Sequence, residues 1–193
     1  ISIMPSHGSD GVAAAVERIV SDPADLRRTQ IYSWIEFDGL MYMQQNAIDG
    51  LERLFGHVER LGGGEMLHSI CFNHWRSAEN RTTFRFAADA CLSRGVSRGA
   101  FYEEYARRLG IRDAETYAEA MRLINEADSY ATVNLGNIGF FWVGAWSNGG
   151  LFTWMKRENI DRCSALYAAA GARIAAVRAG TRSLPGLEYL DLL

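Results

Sequence analysis

The sequence predicts an α/β first half over residues 1–95, followed by an all-helical region over residues 96–193. Short apolar runs begin near residues 1, 30 and 66, and apolar residues at helical spacing follow each run. This period of roughly 30–35 residues is the size of a strand–helix unit. After the third unit the alternation stops and only helical periodicity continues.

The three apolar runs have the composition of β-strands. The second is rich in β-branched and aromatic residues, and the third reads as a buried strand. Parallel strands need covering helices on the sheet. We therefore expect residues 1–5, 30–35 and 66–72 to be adjacent parallel strands, with helices 11–21 and 44–61 as right-handed crossovers.

Helical periodicity is clearest in residues 44–61, whose apolar residues form one stripe while charged residues occupy the other faces. Ser77 is a suitable N-cap for a third helix. In the second half, residues 98–109, 114–128 and 157–178 have helical spacing. The aromatic stretch at 140–146 between them is ambiguous.

Composition and charge exclude several classes of protein. The 193-residue chain has a net charge of −3 and a pI near 5.8. No long Lys/Arg run is present, so we expect no nucleic-acid partner. The apolar stretches are interrupted within about ten residues, too short to cross a membrane. The chain begins with Ile1 inside a predicted strand and ends in a helix-like stretch, so we expect the C-terminal part of a larger soluble enzyme.

The cysteines and histidines predict neither a disulfide framework nor a metal site. Cys71, Cys91 and Cys163 are odd in number and lack CxxC spacing, so we expect three buried thiols and a slight preference for the cytoplasm. His7, His68 and His74 have no close-range metal-ligand spacing. No cofactor is expected.

Candidate catalytic residues follow the predicted strands, because active sites of parallel α/β folds lie at the carboxyl ends of the strands. Glu36 is the main candidate, since a carboxylate beside Trp34 and Phe37 is costly to bury without partners. An exposed loop acid or a helix-capping acid is the alternative. Asp38 competes with Glu36, although Asp38 followed by Gly39 is equally consistent with a turn.

The third strand is followed by Asn73, His74, Trp75 and Arg76. Trp75 is suited to form an apolar floor for a sugar ring, with a buried core tryptophan as the alternative. His74 and Arg76 flank it and are candidate substrate contacts. His7, after the first strand, is the weakest candidate, because an isolated histidine is more often a structural residue.

The segments around Trp34-Ile35-Glu36 and His74-Trp75-Arg76 together resemble the last units of (β/α)₈-barrel glycoside hydrolases, in the large clan of retaining barrel enzymes. The resemblance covers roughly residues 1–95 and implies strands six to eight of a barrel. It implies that Glu36 is the nucleophile and Trp75 a sugar platform. The following helical segment resembles some α-glucuronidase- and hexosaminidase-like enzymes.

The resemblance implies a fragment of a carbohydrate-active enzyme that hydrolyses glycosidic bonds with a carboxylate pair. The second carboxylate, on the fourth barrel strand, would lie upstream in the same polypeptide, so the rest of that chain and a carbohydrate are the expected partners. The alternative is a non-catalytic helical domain that binds a ligand or partner. Another barrel enzyme, such as an isomerase or aldolase, is a third possibility, because fold alone does not determine function.

Overall fold

The structure, a computed structural model, describes residues 2–3, 30–34, 48–49, 51–53, 55–56, 67–71, 78–92, 96–134 and 156–193. For the strands and for residues 78–80, 129 and 131–133 it describes the backbone alone. The strands are β1 (Ser2–Ile3), β2 (Gln30–Trp34) and β3 (Leu67–Cys71); the helices are α1 (Ala78–Leu92), α2 (Arg98–Arg108), α3 (Ala114–Asn134), α4 (Arg157–Gly180) and α5 (Leu184–Leu190).

The described strands form one parallel sheet in the order β1-β2-β3. β1 contributes only two residues, with Ser2 beside Gln30. β2 and β3 pair along all five residues of each strand. Their last residues, Trp34 and Cys71, lie side by side.

The ends of α2 are determined by local sequence. The Ser97 hydroxyl accepts a hydrogen bond from the Ala100 backbone N–H at 3.3 Å, which caps the first turn. At the other end Gly110 adopts a positive φ of 72°. Its N–H donates to the Arg107 carbonyl at 3.0 Å, and the Ile111 N–H donates to the Ala106 carbonyl at 2.9 Å. These bonds form a Schellman motif, which turns the chain toward α3.

The core of the described chain is helical. α3 packs against both α2 and α4, and α4 contacts α5. Small buried residues allow these helices to approach closely, since Ala106, Ala120 and Ala170 are at most 1% exposed. Ile48 and Leu51, from the described helical residues between 48 and 56, belong to the same core.

A continuous series of aromatic rings joins these elements. Phe86 of α1 meets Phe101 of α2 edge to face, with 5.3 Å between ring centroids. Tyr102 meets Tyr117 of α3 at 6.3 Å, and Tyr117 meets Tyr189 of α5 at 6.2 Å. Edge-to-face pairs add stabilisation beyond the burial of their area. The aromatic series therefore joins α1, α2, α3 and α5 into one body.

The resemblance to a barrel hydrolase and the predicted α/β fold class, with the last three units of a (β/α)₈ barrel in residues 1–95, are wrong for the part of the chain that the structure describes. A barrel closes with eight strands that carry a packed layer of helices. Among the described residues, the substantial contacts join strand to strand or helix to helix. The described part of the sheet has three short strands. The assignment to a barrel glycoside hydrolase falls with this fold, whereas hydrolysis of glycosidic bonds as an activity stays a prediction that the described residues do not test.

The three helices predicted for the second half of the chain are confirmed. The segments expected at 98–109, 114–128 and 157–178 correspond to α2, α3 and α4. The C-terminal stretch differs from the expectation, because α5 ends at Leu190 and the Asp191 N–H bonds back to the Leu187 carbonyl at 2.9 Å.

The expectation of three buried thiols is wrong for Cys91, which is exposed near the end of α1. Cys163 is buried between α3 and α4, and its thiol donates to the Ala127 carbonyl at 3.5 Å. The side chain of Cys71 lies outside the described residues. Helix 11–21 also lies outside them.

Two glycine substitutions test the Schellman turn and the long helix separately. Gly110→Ala should lower the free energy of unfolding by about 1–3 kcal/mol, because alanine resists positive φ and its Cβ would lie 2.6 Å from the Ser183 Cβ. Gly171→Ala, in the interior of α4 with no atom within 4 Å of the new Cβ, should raise it by about 0.5–1 kcal/mol. Urea unfolding measures both. Equal effects of the same sign would contradict this account of the turn.

Candidate functional site

A cleft of about 260 Å³ lies between the second half of α1 and the outer face of α2. Leu92 and Asp89 form the α1 wall, Val96 lies at the end of the connection, and α2 provides the other wall and the floor. The lining residues are Asp89, Leu92, Val96, Ala100, Phe101, Glu104, Tyr105 and Arg108. We call this feature the α1–α2 cleft.

The floor of the α1–α2 cleft is aromatic and held in place from below. Phe101 and Tyr105 are one helical turn apart on α2, and their rings stack with centroids 5.5 Å apart and planes inclined by 21°. Phe101 is 4% exposed and rests on Phe86 of α1. Leu92 at the rim is 84% exposed. The cleft is therefore floored by packed aromatic rings and has an exposed leucine at its rim.

The polar rim of the cleft is paired in charge. Arg108 Nε contacts Glu104 Oε1 at 3.1 Å, and Arg108 Nη1 contacts Asp89 Oδ2 at 3.5 Å. Asp89 Oδ1 also forms an ion pair with Arg85 Nε, on the same helix, at 3.1 Å. Hydrogen bonds from Arg108 and Arg107 lower the pKa of the Glu104 carboxyl below its ordinary value. The Glu104 carboxyl is thus held ionised beside the guanidinium groups of Arg107 and Arg108.

Beneath the floor, buried hydroxyl groups form a chain between α1, α3 and α5. The Tyr117 hydroxyl donates to the Tyr189 hydroxyl at 3.2 Å, and Tyr189 hydrogen-bonds the Thr82 hydroxyl. Burial raises the pKa of Tyr117 well above the usual value, and Tyr189 raises it further. Burial also raises the pKa of Tyr105, opposed in part by its hydrogen bond with Thr82. These phenols are neutral structural groups at physiological pH.

A second polar network attaches the helical residues at 48–56 to α2 and α3. Asp49 receives guanidinium contacts from Arg98 and, at 2.6 Å, from Arg53. The Asp49 N–H donates to Asn125 Oδ1 at 3.2 Å, and the Asn125 amide donates to the Tyr102 hydroxyl. Asn125 is 1% exposed. Every member named here has a partner, so this network orients helices and leaves no buried charge uncompensated.

Within the described ranges, no group of three His, Cys, Asp or Glu residues is placed to hold a metal ion. Burial raises the pKa of the Cys163 thiol, which disfavours the nucleophilic thiolate. Among the described residues, the α1–α2 cleft is an apolar concavity bordered by charged side chains.

Most residues predicted from the sequence to form a site lie outside the described residues. Trp34 is described through its backbone only, at the end of β2 beside Cys71. The structure thus tests none of the site roles assigned to these residues, which are Glu36 as a catalytic group and His7, Trp34, Asp38, His74, Trp75 and Arg76 as substrate contacts.

The residues of the α1–α2 cleft were not found by sequence reasoning. Tyr105 was recognised as part of a helical stripe, but the spacing of Phe101 and Tyr105 at i and i+4 indicates only that both lie on one face of α2. Leu92 ends an apolar pattern in α1 but is exposed in the structure. Its exposure depends on where α2 lies, which the local pattern does not encode.

No protein-family model, curated protein or solved structure matches this chain. None of the helices in the described part is long and apolar enough to cross a membrane.

Adjacent threonines on α1 provide a matched test of the buried hydroxyl chain. Thr82 and Thr83 are both 0% exposed. The Thr82 hydroxyl bonds Tyr189, whereas the Thr83 hydroxyl has no hydrogen-bond partner among the described residues. Thr82→Val should lower the free energy of unfolding by about 1–3 kcal/mol, because it leaves a buried phenol short of a partner. Thr83→Val should be neutral or stabilising. Thermal and urea unfolding measure the stability of both variants. Equal losses of unfolding free energy would refute the place of Thr82 in the buried hydroxyl chain.

The buried phenols predict a loss of stability in alkali. The folded pKa of Tyr117 lies above its unfolded value near 10. The folded chain keeps a proton that the unfolded chain releases, so its stability is fully present below pH about 10 and declines above it, by up to about 1.4 kcal/mol per pH unit. Tyr117→Phe should reduce this slope. Urea unfolding between pH about 8 and about 11 measures it, and an unchanged slope in the variant would contradict the role of Tyr117.

Proposed function

We propose that the helical part of this chain is a non-catalytic protein-binding domain whose α1–α2 cleft accepts an aromatic or aliphatic side chain of a protein partner. The observation that carries the proposal is the floor of Phe101 and Tyr105, which is ordered from below by Phe86 and bordered by the exposed Leu92. An apolar surface held rigid in this way can bind without first paying for its own ordering.

The size of the cleft favours a side chain over a whole small molecule. Its volume is about 260 Å³, below the roughly 300–1,000 Å³ typical of sites that enclose drug-sized ligands. One large side chain from a partner would be inserted while the rest of the partner lay across the rim. Buried aromatic and aliphatic anchors of this kind supply most of the affinity at many protein interfaces.

The charges around the cleft fit a binding role. Asp89, Glu104 and Arg108 pair with one another or with neighbouring arginines, so they form a polar border around an apolar centre. That arrangement is the usual anatomy of a protein interface. Glycosidic hydrolysis was predicted from the rim of a barrel, and the helical packing of the described residues removes that premise.

Selection from a library of short random peptides tests the proposal. Peptides enriched on the chain should share a Trp, Phe or Leu anchor. For a selected peptide, Leu92→Lys should raise Kd about tenfold or more, because burial of a leucine side chain contributes about 1.5–3 kcal/mol. The matched control is Leu184→Lys, which changes a leucine 67% exposed on α5, outside the cleft lining.

Leu184→Lys should leave Kd unchanged, and circular dichroism should show both variants folded. Amide shifts in NMR spectra should locate the bound peptide at Phe101 and Tyr105. Selected peptides that bind wild type and Leu92→Lys equally, or that shift residues away from the cleft, would overturn the proposal.

A further inference from the structure

Arg108 is the guanidinium that connects the two walls of the α1–α2 cleft. It projects from α2 and contacts Asp89 on α1 at 3.5 Å, while its Nε contacts Glu104 on its own helix at 3.1 Å. Arg107, its neighbour on α2, contacts Glu103 at 2.8 Å and Glu104 at 3.2 Å, both on the same helix. Of these two arginines, Arg108 alone is paired across the cleft.

We infer that the Arg108–Asp89 pair is a salt-sensitive latch that holds the α1–α2 cleft narrow and opens when an apolar side chain enters. This inference rests on the proposed function, because it concerns access to the same cleft. Arg108 is a positioning residue in this account: it restrains the two walls, and the aromatic floor makes the apolar contact.

Each member of the latch has a second ion pair, which remains when the latch opens. When the pair separates, Asp89 keeps Arg85 at 3.1 Å and Arg108 keeps Glu104 at 3.1 Å. Neither charge is left without a counter-ion, so the large penalty for isolating a charge does not arise. The pair across the cleft is also the longest of the three contacts.

The solvent exposure of the latch makes it sensitive to salt. The side chain of Arg108 is 44% exposed and that of Asp89 is 19% exposed. Ion pairs that reach solvent are weak and are screened as ionic strength rises. High salt should therefore loosen the latch and favour entry of an apolar group, beyond the general strengthening of apolar association by salt.

Titration with indole, a probe for an aromatic anchor, tests this inference by NMR of the ¹⁵N-labelled chain. Binding is followed at the amides of Phe101 and Tyr105 at about 0.02 M and about 0.5 M NaCl, where the screening length differs several-fold. Arg108→Gln removes the latch. Arg107→Gln is the matched control, since it removes an equal charge from the same surface but no contact across the cleft.

At low salt, Arg108→Gln should bind indole about two- to fivefold more tightly than wild type, the range that an exposed ion pair can supply. Its affinity should also rise less with salt than that of wild type, whereas Arg107→Gln should behave as wild type. Binding in wild type with no change in affinity or salt dependence in Arg108→Gln would refute the latch alone. If no variant gives a saturable shift at the cleft, both the latch and the proposed function fail.

Discussion

The burial of Tyr117, in the first turn of α3, is the constraint on which the described fold depends. Its side chain is 0% exposed, so both its ring and its hydroxyl must be satisfied by neighbouring helices. The ring meets Tyr102 of α2 and Tyr189 of α5, and the hydroxyl donates to Tyr189. An aromatic ring can pack against neighbours in many positions. A buried hydroxyl, in contrast, needs a hydrogen-bond partner at a defined distance and direction. This requirement fixes α5 relative to α3, and Thr82 extends the same requirement to α1.

The α1–α2 cleft is a consequence of this packing. Phe101 directs its ring toward Phe86 in the core, while Tyr105 stacks on Phe101 and also meets Tyr189 edge to face at 5.6 Å. The floor of the cleft is thus the outer layer of the core. The rings that stabilise the fold therefore also line the cleft. A substitution that loosened the core would therefore also alter the cleft.

The barrel prediction shows how a correct local pattern can lead to a wrong architecture. Periods of two and 3.6 residues report which face of an element is apolar, and they say nothing about which other element covers that face. Residues 48–56 illustrate the point. Ile48 and Leu51 lie on the expected apolar stripe, yet they are buried in the helical core with α2 and α3, and Asp49 on the polar side bonds to Asn125. The sequence identified the amphipathic face but assigned it to a sheet.

The sequence by itself determined the helices of the second half, since α2, α3 and α4 follow from apolar spacing and from local end signals such as Ser97 and Gly110. These signals act within a few residues, so they survive without tertiary context. Only the tertiary structure decided that Leu92 is exposed, that Cys91 reaches solvent and that Arg108 meets Asp89. Each of these depends on the angle and separation of α1 and α2, which arise from the simultaneous packing of distant side chains. The α1–α2 cleft is likewise decided by the tertiary structure. Its walls come from two helices, and its floor is supported by the core side chains beneath them.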